Sequence, residues 1–267
     1  MNDQRSHNVR DLLGLVGKTA LITGATGHLG SALATALAEA GASVIVSSRR
    51  LSDGQSFAAS LVRHENARHF AIEMNHMDEA SIDRGFDAAI SAAGKVDVLI
   101  NNGHEPVGAD LWSVTAEQFN RQLMNLTGYF LLARLTRDHI AARGGSGSIV
   151  MLGSMYGLVG SYPDAYEGVA PASPVAYHAL KGGIVQMTRH LAVYWARDQV
   201  RVNCLSPGAF PSAKAPPVQV ERLKQKLPMR RMGQPEELKG AIVFLASDAS
   251  SYMTGQNLII DGGWTAW

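Results

Sequence analysis

Residues 18–30 read Lys18-Thr-Ala-Leu-Ile22 and then Thr23-Gly-Ala-Thr-Gly-His-Leu-Gly30. A short apolar run passes into a glycine-rich turn, and an Ala/Leu-rich stretch follows as far as about Ala40. The first part reads as a buried strand and the last as a helix, which Gly41 ends. Glycines at 24, 27 and 30 allow a tight turn and a close backbone approach to whatever lies above it. The unpaired N–H groups and partial positive charge of the following helix then face that space. Such a turn serves ordinary helix packing as well. Directly after a first strand it points to the pyrophosphate of a dinucleotide, with Thr23, Gly24, Thr26, Gly27, His28, Leu29 and Gly30 as candidate contacts.

The same alternation continues outward. Apolar strands are expected at 42–47, 69–73, 96–100, 148–152, 200–205 and 257–260. Helices are expected near 79–93, 115–137, 175–197 and 235–246. Strands separated by helices of this length must pair in parallel, because each crossover returns the chain to the same edge. Runs such as VIV, VLI and IVM are continuously apolar, as strands covered on both faces should be. The expected fold is therefore α/β: a doubly wound, parallel, seven-stranded sheet of Rossmann type with helices on both faces. The alternation offers no linker at which to divide the chain. Two Pro/Gly-rich stretches, 157–174 and 206–217, follow strands on the carboxyl edge, where open α/β sheets place their ligands.

Composition narrows the function. The 267 residues are 46% hydrophobic and 18% charged, and 24 Lys plus Arg against 23 Asp plus Glu leave a net charge of +1. No strong field exists to gather nucleic acid or an anionic membrane, and no apolar run approaches bilayer length. The single cysteine, Cys204, excludes an internal disulfide and suits a reducing compartment, so a cytoplasmic location is expected. Residues 1–11 mix charges of both signs without an apolar core, and no secretory signal is read there. No metal site is expected: His28 lacks neighbours at ligand spacing, and His64, His69 and His76 lie on different expected elements, where solvation is the simpler reading. Met74, Met124 and Met151 read as fillers of core gaps.

Two further groupings carry chemistry. At the end of the second strand stands Ser47-Ser48-Arg49-Arg50, with no carboxylate to bind a ribose 2′-hydroxyl. NADP(H) is preferred on this reading, with Ser48 and Arg49 on the 2′-phosphate; NAD(H) remains possible, and a solvated basic turn is the plainer alternative. Tyr177 and Lys181, four apart on an expected helix, share one face. An ammonium beside a phenol favours the phenolate and brings it into range for proton exchange with an alcohol or carbonyl; the same spacing also arises by chance on any amphipathic helix. Ser154 follows the strand ending at Leu152, as an oxygen-holding hydroxyl or simply a turn residue.

Taken together, Thr23 to Gly30, Asn101-Asn102, Asn125, Ser154, Tyr177-x-x-x-Lys181, Pro207-Gly208 and Asp261-Gly262-Gly263 resemble the short-chain dehydrogenase/reductase family from about Val16 onward. The resemblance implies a single NAD(P)-binding Rossmann domain over 1–267, with substrate loops at about 155–174 and 208–227. It implies Tyr177 as general acid/base and Lys181 as the group that lowers its pKa and holds the nicotinamide ribose. It implies Ser154 as the group orienting the substrate oxygen, and Asn125 as holder of a relay water. It further implies cofactor contacts at Asn75, Asn101, Gly103, Pro207, Gly208, Phe210 and Ser212. A homotetramer is implied too, with the 154–181 region and Gly262 to Trp267 at subunit contacts.

Departures from the family pattern are informative. Asn101-Asn102-Gly103-His104 stands where Asn-Asn-Ala-Gly is usual, so His104 faces either the substrate cleft or water. Asn75 replaces an aspartate. Ser154 and Tyr177 are 23 residues apart, about ten more than usual, and the added segment carries Tyr156, Tyr162, Asp164, Tyr166 and Glu167. It is either a surface insertion or a wall lined with hydroxyls for a polyhydroxylated substrate. The expected activity interconverts a secondary alcohol and a ketone on a sugar, sugar acid or polyol, as in the gluconate 5-dehydrogenase-like members of the family. A 3-oxoacyl-thioester reductase is the alternative, with Arg134, Arg137 and Arg143 available to an acidic carrier. A catalytically silent cofactor-binding regulator ranks last, since Ser154, Tyr177 and Lys181 are all present.

Overall fold

The computed structural model describes residues 8–64, 66–169 and 172–267. Seven strands form the sheet: β1 Thr19–Ile22, β2 Ser43–Ser48, β3 Phe70–Glu73, β4 Val98–Asn101, β5 Gly147–Leu152, β6 Val200–Pro207 and β7 Asn257–Ile260. All neighbours pair in parallel in the order β3-β2-β1-β4-β5-β6-β7. The order reverses between β1 and β4, which opens a crevice at their carboxyl ends.

Side-chain alternation splits the core into two layers. Ala20, Ile22, Val44, Val46, Val98 and Ile100 face α2 (His28–Glu39) and α8 (Lys239–Ala246). Leu21, Ile45, Leu99, Ile149 and Met151 face α4 (Glu79–Ala93), α5 (Ala116–Ala142) and α6 (Val175–Trp195). Thr115 starts α5 with a capping box closed by Gln118, and Gly94 ends α4 in the left-handed conformation, the two termini that such residues favour.

Three helices lie outside the expected set: α1 (Val9–Leu13), α3 (Leu51–Ser60) and α7 (Pro217–Lys226). Of α3 only Gly54 and Ala58 are buried, so little apolar periodicity marks it. Gly54 stands mid-helix because it abuts Ala71 and Ser48. The α7 segment falls within the stretch 208–227 and has no buried residue, so the pattern gave no helical signal, although Pro217 suits a first turn. Met74 and Met151 are buried as core fillers, whereas Met124 is 40% exposed. His64 is exposed, as the solvated reading expects, with its Nε2 on the Glu39 carbonyl; His69 is half-buried and bonded on both ring nitrogens, to the Val62 carbonyl and the Val44 N–H. The leader reading at 1–11 falls in part on residues 1–7, outside the described residues, as do positions 170 and 171 of the 155–174 stretch.

Candidate active site

A cleft of about 740 Å³ opens at the carboxyl ends of the strands, over the β1/β4 reversal. Its floor is the 23–30 turn. Gly24 has φ +62°, and a Cβ there would press on Asn102 and Gly103. A Cβ on Gly30 would fall 2.0 Å from the Gly24 carbonyl oxygen, so only glycine lets the first turn of α2 close against the turn. Gly27 is the N-cap of α2 and has no side chain to satisfy the first-turn N–H groups, which therefore face the cleft as an anion site. His28, first in the helix, is exposed on the rim. Thr23 ties the turn to the next strand: its Oγ1 accepts from the Asn102 and Gly103 N–H groups at 3.0 and 2.8 Å.

At one end of the cleft, Ser48 and Arg49 close β2. The Arg49 side chain is 70% exposed and sits 3.5 Å from Glu105, whose other oxygen holds Arg121. The opposite end carries the chemistry. Ser154, 7% exposed, follows β5 and accepts the Tyr156 N–H at 3.1 Å. Tyr177 and Lys181 come from one face of α6. Lys181 is 5% exposed and donates to the Leu152 carbonyl at 2.7 Å, and its Nζ lies 5.6 Å from the centre of the Tyr177 ring. Burial pushes Lys181 down to about 8. Burial likewise raises the Tyr177 phenol, against a hydrogen bond to Ser154 that lowers it and a Tyr166 charge that raises it further.

Not every expected residue reaches the cleft. Thr26, Leu29, Gly103, Pro207, Gly208 and Phe210 line it with the residues above. Gly208 is required there because a Cβ would strike Asp261. Asn101 is instead buried behind β4, where its amide donates to the Tyr129 carbonyl; the neighbouring Asn102 lines the cleft and donates to the Thr23 and Gly24 carbonyls. The Asn75 Oδ1 is used in a local turn, accepting from Met77 N, and His76 takes the place at the wall. Ser212 lies on an exposed loop away from the lining.

Asn125 is engaged on both sides of its amide. Its Oδ1 accepts from His76 Nε2 and Glu105 N, and its Nδ2 donates to the Glu105 and Gln122 carbonyls. With that capacity filled, the side chain anchors the loop after β4. His76 is thus a bonded, half-buried side chain rather than a solvated one.

The long segment after Ser154 packs against α7 and Trp264. The Tyr156 and Tyr166 hydroxyls meet at 2.9 Å, and Trp264 stands edge-on to Tyr156 and Tyr162. Arg222 of α7 donates to the Asp164 and Glu167 carbonyls, while Lys226 pairs with Asp164 and lies 5.0 Å over the Tyr162 ring. The two expected substrate loops are therefore one bonded unit. Trp264, expected at a subunit contact, is 2% exposed within this chain, whereas Trp267 is 68% exposed.

The sequence reading left His104 undecided between cleft and water and did not single out Glu105. Both line the cleft, His104 while still exposed to water; its signal is a bulky side chain where the resembling family has glycine. Among the described residues no group of His, Cys, Asp and Glu is arranged to hold a metal, and no helix is long and apolar enough to cross a membrane.

A model of the family described as enoyl-(acyl carrier protein) reductase matches residues 24–265. An NADP-dependent mannitol dehydrogenase of Hypocrea jecorina is 31% identical, with 97% of each chain covered. A cis-4-hydroxycyclohexanecarboxylate dehydrogenase of Sinomonas cyclohexanicum is 34% identical over 93% of this chain and 97% of its own. Among solved structures, a gluconate 5-dehydrogenase of Burkholderia cenocepacia J2315, in complex with NADP and tartrate, superposes with a TM-score of 0.86. It is 29% identical and covers 97% of this chain and 100% of its own.

Proposed function

Because this chain belongs to the short-chain dehydrogenase/reductase family, we propose that it interconverts a secondary alcohol and a ketone on a sugar, sugar acid or polyol, with NADP(H) as the preferred nicotinamide cofactor. One observation carries the reading: Ser154, Tyr177 and Lys181 meet on the wall of one cleft whose floor is a glycine cradle at a helix N-terminus. The cradle fits a dinucleotide, since the N–H groups of the first turn of α2 have no side-chain cap and a Cβ at position 30 would strike the Gly24 carbonyl and force the turn open. The nicotinamide, when bound, gives or takes the hydride.

The chain's own residues align the reactants and manage the proton. Ser154 holds the substrate oxygen, and Tyr177 exchanges a proton with it: the phenol gives one during ketone reduction, and the phenolate takes one during alcohol oxidation. Lys181, fixed by the Leu152 carbonyl, holds the cofactor ribose and supplies positive charge beside the phenol. Ser48 and Arg49 take the 2′-phosphate; the exposed Arg49 has only Glu105 to release. The name of the mannitol dehydrogenase and the NADP in the gluconate 5-dehydrogenase complex support this preference.

We read the chain as one Rossmann domain, with 155–174 and 208–227 as its substrate loops. A homotetramer, with the 154–181 region and Gly262 to Trp267 at subunit contacts, is inferred from the family, and a cytoplasmic setting from the lone thiol of Cys204. Light scattering after size exclusion tests the assembly. For the activity, initial rates with NADPH and NADH are compared over keto-sugar acids, ketoses and acetoacetyl thioester. Turnover of keto-sugar acids with NADPH is expected, and reduction of the thioester alone would overturn the carbohydrate reading.

A further inference from the structure

His104 lines the cleft and places its ring edge-on to that of Tyr177, with centroids 5.4 Å apart. Its protonation pattern is set from behind. The Val107 N–H donates to Gln122 Oε1 at 2.8 Å, which fixes the orientation of that buried amide. Gln122 Nε2 must then be a donor, and it lies 2.8 Å from His104 Nε2. An amide N–H can only meet a ring nitrogen that carries a lone pair, so the proton of the neutral ring sits on Nδ1. Among the described residues, no acceptor takes that N–H.

We propose that the His104 Nδ1–H is a fixed donor to an oxygen of a vicinal diol bound in the cleft; where the substrate supplies that diol, the donor sets specificity for the oxygen next to the reacting centre. The inference deepens the carbohydrate reading and rests on it. A diol enters the cleft from two sources, the substrate and the cofactor ribose, and both present the same acceptor. The ring keeps one tautomer because Gln122 holds Nε2, and desolvation, then the charges of Lys181 and His76, lower its pKa. The anchor is preorganised, since Gln122 is held by the backbone and the histidine loses little freedom on binding.

His104→Ala and His104→Gln, measured against wild type, decide it. Two readouts are taken: the ratio of kcat/KM for 2-hydroxycyclohexanone over cyclohexanone with NADPH, and the NADPH dissociation constant from fluorescence. If the substrate supplies the diol, His104→Ala lowers the ratio about tenfold or more, mainly through KM, and His104→Gln recovers part of it. If the ribose supplies it, the dissociation constant rises about tenfold with the ratio held. A change in neither readout, or a parallel loss in both with a lowered melting temperature, overturns the proposal. If neither ketone is reduced, the substrate source is overturned and the dissociation constant alone decides the rest. Wild-type turnover of keto-sugar acids is scored separately: its absence alongside a His104-dependent ratio removes the carbohydrate reading and leaves this donor in place.

Discussion

The two ends of the sheet treat charge in opposite ways. At the amino ends, Asp97 is 4% exposed and three donors meet its carboxylate: Thr19 N and Lys95 Nζ on Oδ2, both at 2.9 Å, and Arg143 on Oδ1 at 2.5 Å. Burial alone would raise its pKa, but these partners outweigh it and hold the carboxyl below its usual range. At the carboxyl ends, Lys181 is buried with no carboxylate beside it, Tyr177 is raised by burial, and first-turn N–H groups of α2 lie open. One end is satisfied and inert; the other is left short of partners, which is the condition for taking a ligand and moving a proton.

The largest effect that tests this contrast is chemical. Tyr177→Phe is expected to lower kcat by about 10³-fold, within the range of general acid/base groups, while NADPH binding by fluorescence is retained. The wild-type pH profile follows the sign of the shift. Because the phenol is raised, alcohol oxidation, which needs the phenolate, should climb steadily as pH rises above neutral, whereas ketone reduction, which needs the phenol, should hold over that interval and fade only above the ordinary tyrosine value of about 10. A Phe variant keeping a tenth of the activity would remove Tyr177 from its role.

The opposite end should respond in stability alone. Asp97→Asn removes the shared partner of Lys95 and Arg143, and a loss of about 3 kcal/mol is expected in urea unfolding. That is the low end for a broken buried pair, because both cations reach water. Turnover below the melting point should be retained. The folded pKa is depressed, so this stabilisation is complete above the unfolded value near about 3.9 and is lost as pH falls through the folded one. The variant should lose that acid limb of the stability curve.

These contrasts explain what was legible beforehand. The strands were, because β-branched apolar runs between glycines have few other readings, and the 23–30 cradle was, because its glycines are sterically required. Ser154, Tyr177 and Lys181 were found by type and order. Asn101 against Asn102 was not separable: adjacent residues at a strand end point to opposite sides, and which amide turns to the cleft depends on Tyr129 and Thr23 across the fold. Asn75 and Asn125 share that difficulty, since their amides are consumed by partners distant in sequence or by a local turn. The α7 helix was hidden because its sequence buries nothing, and its role shows only in its bonds to the long insertion.

A smaller effect at the reactive end has the reverse sign. Lys181 is lowered to about 8, against about 10.4 when unfolded. Below about pH 8 both states are protonated and the folded one carries the full penalty of a buried charge; between those values the unfolded chain binds more protons, so stability rises with pH. Lys181→Met is therefore expected to abolish turnover and yet to gain stability at pH 7, of order 1–2 kcal/mol, with the gain shrinking toward pH 10. Thermal unfolding at pH 7 and pH 10 reads it. A variant that is destabilised at both would mean that the hydrogen bond to Leu152 matters more than the desolvation.

The smallest expected effect concerns the long segment after Ser154, which packs like the amino end although it follows a strand at the carboxyl end. Tyr156 and Tyr166 satisfy each other's hydroxyls in a buried place. Tyr166→Phe leaves the Tyr156 hydroxyl without its partner and should cost about 1 kcal/mol. The double change to phenylalanine removes both polar groups and should restore most of that loss, because an apolar pair of the same shape has nothing left to desolvate. A double variant no better than the single one would show that the hydroxyls serve something beyond each other. Their electrostatic link to Tyr177 then makes the reacting phenol the place to look, through a displaced pH profile for alcohol oxidation.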